Sequence, residues 1–162
     1  MSKKLRMMLF VFAGIVALFA GIASAEEVKA PAGFPMTLEI ENFKLTNGNI
    51  VDNKDASGGK AVIATNLQFV ASTVVTFKEK GTYELVLTEN APNGSTDAIN
   101  VKIDGVATRI YPDEKLAGKF TDCVKKVPII VNQPGNVTID VFTSNEMGAL
   151  YDKVTIAYVK PL

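Results

Sequence analysis

Ile99-Asn100-Val101-Lys102-Ile103-Asp104-Gly105 decides the fold of this chain. Apolar β-branched residues alternate with polar ones, the period-two signature of a strand with one face on a core and one in water. Asp104-Gly105 then supplies a turn signal. Val137, Ile139 and Val141 repeat the pattern, interleaved with Thr138 and Asp140. Further turn signals recur at Asn47-Gly48, Gly58-Gly59, Asn93-Gly94 and Pro134-Gly135, and no window sustains a helical period. Short strands separated by regular turns predict an all-β, two-sheet antiparallel β-sandwich, a jelly roll of about nine strands. The strands are expected near 37–43, 60–64, 67–77, 82–89, 98–104, 107–111, 120–131, 136–143 and 150–159, with a connection at 112–119.

Residues 1–25 read as a signal peptide. Lys3, Lys4 and Arg6 form a positive start, Leu9 to Ile22 is apolar, and Ala23-Ser24-Ala25 offers small residues for cleavage. The apolar run is short for a membrane anchor, which needs about 20 residues. The chain is therefore expected to be exported to the periplasm, the cell surface or the medium, with no membrane span after cleavage. The next stretch, 26–36, contains Pro31 and Pro35 and reads as a linker; 37–162 is the sandwich domain. Without the three basic residues of the signal, 14 basic and 17 acidic residues remain, a net charge of −3. That balance gives no footprint for nucleic acid.

Histidine is absent and cysteine occurs once, at Cys123. Serine–histidine and cysteine–histidine catalysis cannot be assembled, and zinc or copper lacks ligands. A lone cysteine makes no internal disulfide and reads as a small buried hydrophobe. Glu39 and Glu41 flank Ile40, so a strand there would put both carboxylates on one face. Two exposed glutamates would look the same. Asp152 aligns with Leu150, Val154, Ile156 and Tyr158, while Tyr151 is expected to point outward beside it. An acid in line with a core needs a cationic partner, hydrogen bonds or a metal, because a lone buried carboxylate is very costly. Calcium, held by six to eight oxygens, is one solution if the first and last strands meet.

Taken in order, Glu39-Ile40-Glu41, Ala56-Ser57-Gly58-Gly59-Lys60-Ala61-Val62, Gly81-Thr82-Tyr83-Glu84-Leu85 and Leu150-Tyr151-Asp152-Lys153-Val154-Thr155-Ile156 resemble landmarks of carbohydrate-binding module families 6 and 35. These are calcium-containing β-jelly rolls often attached to glycoside hydrolases. The resemblance runs from about Leu38 to Val159. It implies a structural calcium at Glu39, Glu41 and Asp152, completed by backbone carbonyls of the loop around Ser57 to Lys60, and a polysaccharide or glycan as partner. It also implies aromatic side chains in the loops at one end, on which sugar rings stack. Here the chain departs from the pattern. It has no tryptophan; Phe120 falls near that position, and Leu150 stands where an asparagine is common. Phe120, Tyr111, Tyr151 and Asn145 are the candidate ligand contacts, and Glu146, in the same loop as Asn145, could offer a further polar group. The expected function is a non-catalytic exported carbohydrate-binding module. The alternative is a structural or adhesive envelope protein that reuses the sandwich and self-associates. Glycoside hydrolysis by Glu39 and Glu41 is disfavoured, because both would lie on a flat strand and not in a cleft.

Overall fold

The computed structural model describes residues 30–94 and 98–162, so the expected signal peptide lies outside the described residues. Among the described residues, twelve strands run in chain order: β1 (Met36–Glu39), β2 (Lys44–Thr46), β3 (Gly48–Asp52), β4 (Lys60–Ala64), β5 (Val70–Phe77), β6 (Gly81–Asn90), β7 (Ile99–Ile103), β8 (Val106–Ile110), β9 (Thr121–Asp122), β10 (Val127–Val131), β11 (Gly135–Thr143) and β12 (Leu150–Lys160). A seven-stranded sheet has the order β10-β6-β12-β4-β3, with β1 also on β12 and β9 also on β6. A five-stranded sheet has the order β2-β5-β11-β7-β8. Every pairing is antiparallel. The all-β two-sheet sandwich is as expected, with more and shorter strands.

The alternating side chains meet between the sheets. Ile99, Val101, Ile139 and Val141 of one sheet, and Leu85, Leu87, Val154 and Ile156 of the other, are each 0% exposed. Asp104 and Gly105 take positive φ (44° and 90°), as a two-residue hairpin requires, and join β7 to β8. An aromatic cluster of Phe34, Phe77 and Tyr83 packs at the end of β5 and the start of β6. Phe34 lies 4.8 Å from Tyr83 and 5.7 Å from Phe77, so part of the stretch read as linker packs against the domain.

Four expectations differ from the structure. The first strand stops at Glu39, and Ile40–Asn42 form a 3-10 turn that buries Ile40 completely. Burying Ile40 between the sheets outweighs continuing an extended edge. β2 and β3 were not foreseen; they flank Asn47, whose φ of 54° carries the chain from one sheet to the other. The 120–131 stretch is interrupted between β9 and β10, where Cys123 bridges Pro112. Finally, Tyr151 points inward and is 1% exposed.

Candidate metal centre and loop-end surface

The inward turn of Tyr151 and the placement of Asp152 have one cause. β12 pairs with β6 as Tyr151↔Glu89 and then Lys153↔Thr88, so Asp152 is the extra residue of a β-bulge. Tyr151 therefore keeps the core side, and its ring stacks on Phe69 at 5.3 Å and 10°. Burial first, then the nearby Glu89, Cys123 and Glu146, push its phenol well above the ordinary tyrosine value. On the other flank of β12, β4 covers residues 150 and 151 and β1 covers 153 to 156. Asp152 sits at the handover between them, 2% exposed.

Two short turns fill that notch. Ile40–Asn42 carries Glu41 into it. Ser57–Gly59 enters from the opposite side. The Ser57 N–H donates to Asp152 Oδ1 at 2.9 Å, and the Ser57 hydroxyl donates to Glu39 Oε1 at 2.9 Å. Gly58 adopts φ 65°, a conformation glycine supplies without strain, and a Cβ there would lie in ordinary contact with Glu41 Oε1, at 3.6 Å. Glu39, Glu41 and Asp152 thus converge, though through a 3-10 turn and a bulge and not along one strand face.

The electrostatics of this notch are unbalanced. Glu39 Oε2 and Glu41 Oε2 are enclosed without a hydrogen-bond partner. Burial raises the Asp152 carboxyl above its ordinary value; the Ser57 N–H and Lys153 oppose this, and Glu39 and Glu41 reinforce it. Among the described residues, no group of three or more acidic, thiol or imidazole side chains is arranged, as the side chains stand, to hold a metal ion. The donor set is nevertheless all oxygen, anionic and desolvated, which suits a hard cation.

The loop-end candidates are distributed unevenly. Tyr111 follows β8 and is 49% exposed. Phe120 precedes β9 and is half-buried, and Asn145 is exposed between β11 and β12. The ends of β8 and β11 and the start of β9 bring these three to the same end of the sandwich. Tyr151 does not join them, because its ring is spent in the core.

One residue at that end, Glu89, escaped sequence reading, as did the partners of Glu146, read only as a loop residue offering polar contacts. Glu89 is completely buried and accepts from the Cys123 thiol at 3.2 Å. Its signal was present: Tyr83, Leu85, Leu87 and Glu89 share one strand parity. Glu146 accepts from the Ala98 N–H at 2.8 Å and from Arg109 at 2.7 Å, tying the loop after β11 to β7 and β8. Nothing local in the sequence marks that long-range partnership.

No family model matches the chain, and no curated protein matches it. Solved structures do. The family 35 module of Paenibacillus barcinonensis superposes with a TM-score of 0.62 at 15% identity, over 76% of this chain and 98% of the module. A family 35 carbohydrate-binding module from Clostridium thermocellum gives 0.61 at 14% identity, over 76% of this chain and 98% of that one. The GH26-CBM35 β-(1,4)-mannanase of Podospora anserina gives 0.64 at 19% identity over 78% of this chain, which spans only 28% of the mannanase. The domain described here therefore has the fold of the family 35 carbohydrate-binding modules.

Proposed function

We propose that this chain is an exported, non-catalytic carbohydrate-binding module with a structural calcium. The observation that supports glycan binding is the correspondence with two solved family 35 modules, each covered over 98% of its length. Glycan contact falls to the loop end, where Tyr111 offers the exposed aromatic face and Asn145 a polar group. An aromatic ring beside a few polar groups is the minimal equipment for shallow sugar recognition.

Calcium is supported by a different observation, the enclosed and unpartnered oxygens of Glu39 and Glu41 beside buried Asp152. These three carboxylates would hold the ion. The ion supplies positive charge that offsets three desolvated acids and ties β1, the Ser57–Gly59 turn and β12 together. Ser57 orients Asp152 and Glu39, and the enclosure excludes water. Carboxylates so engaged serve structure and not acid–base chemistry.

A glycan microarray probed with the folded domain tests the binding role. β-1,4-Mannan and β-1,3-galactan deserve inclusion, since related structures are a β-(1,4)-mannanase and an exo-β-1,3-galactanase. Binding to a defined glycan, weakened by Tyr111→Ala, is expected. A folded protein that binds no glycan would instead favour the structural or adhesive role, a reading supported by Phe120 being half-buried and Tyr151 buried.

A further inference from the structure

One edge of the sandwich is suited to pair with a copy of itself. β8 ends the five-stranded sheet. Its hairpin with β7 turns on two residues, so Ile103 and Val106 form a hydrogen-bonded pair. Following the register, Thr108 and Ile110 are likewise bonded to Val101 and Ile99. Ala107 and Arg109 occupy the alternate positions and turn their N–H and C=O groups to the open edge. This edge carries no proline or lysine, and its one charge, Arg109, is paired with Glu146. By contrast β10 carries Pro128 behind Lys125 and Lys126, and β2 is three residues long and begins with Lys44; proline, lysine and shortness are the usual protections of an edge. Beside β8 lies a largely apolar groove of about 290 Å³, lined by Ile103, Val106, Thr108, Val127, Pro128 and Ile130, with Asp104 at the hairpin turn. Val106 is on the core-facing side of its strand yet is 71% exposed, and Ile130 is 62% exposed.

We propose that β8 is the interface of a two-fold homodimer. With the axis at Thr108 and the strands antiparallel, Ala107 exchanges both backbone hydrogen bonds with Arg109 of the second copy. Arg109 does the same with Ala107 of the second copy. The two five-stranded sheets become one continuous sheet. The side chains suit this pairing: Thr108 faces Thr108, Val106 faces Ile110, and each Arg109 faces an uncharged Ala107. Each Arg109 also retains its own counter-charge, Glu146, at 2.7 Å, so no like charges stand directly opposed. This self-complementarity favours a second copy over an unrelated strand. The dimer does not depend on the glycan-binding reading, although two linked modules would gain avidity on a repeating polymer.

Sedimentation velocity across a wide concentration range tests the proposal. A concentration-dependent dimer is expected. Ala107→Pro removes an outward donor without touching a hairpin bond and should weaken the dimer about tenfold or more. Val106→Lys, at an exposed site, should do the same and covers the case in which the proline variant does not fold. A strictly monomeric wild-type protein overturns the proposal and leaves the edge to a foreign strand. So does a dimer that survives folded variants at both positions.

Discussion

Removing calcium should lower the melting temperature of the domain markedly. The notch holds three carboxylates, two with an enclosed oxygen that no donor reaches, and the third is 2% exposed. A cation bound only by the folded state at 100 times its dissociation constant adds about 2.7 kcal/mol. For a domain of this size that corresponds to a shift of roughly 8–10 °C. Differential scanning fluorimetry with calcium and with chelator reads it directly. Asp152→Asn keeps the shape and the oxygen that accepts from Ser57, but removes the charge, and should abolish most of the shift. A folded wild-type protein with the same melting temperature in millimolar calcium and in chelator would refute the reasoning. So would an Asn variant that keeps the full shift.

The same notch sets a pH dependence in calcium-free solution. The native Asp152 carboxyl titrates above its ordinary value of 3.8, so its stabilising contribution is full below that value and is lost as the pH rises through the native value. Melting curves against pH should show this decline for the wild type and a flatter profile for Asp152→Asn. Gly48→Ala would place a Cβ 2.6 Å from the Phe69 ring, which stacks on Tyr151, and should cost about 1–3 kcal/mol in urea denaturation. Cys123 is 4% exposed; a thiol reagent should label it slowly in the native protein and promptly in denaturant.

The parts of this fold legible in the sequence are those where burial alternates without interruption. Ile99 to Ile103 and Val137 to Val141 are read correctly because each strand has one core face and one wet face. Alternation failed where the backbone inserts a residue. At Asp152 the bulge changes parity, so Asp152 is buried as expected while Tyr151 turns inward against expectation. Glu39-Ile40-Glu41 alternates as a strand would, but a 3-10 turn buries the same isoleucine and still delivers both acids to the notch. β2 and β3 are too short, and too mixed in polarity, to show a period. The role of Ser57 was foreseen only as backbone; its N–H and hydroxyl matter because of partners 95 and 18 residues away. Such distances leave no local trace.

Isothermal titration of soluble polysaccharides into the calcium-loaded domain, run beside Tyr111→Ala, is the most direct test of carbohydrate binding. The account predicts saturable binding to at least one polysaccharide, with affinity falling about tenfold or more when the exposed ring is removed. Absence of heat with every polysaccharide, from protein shown to be folded, would contradict it.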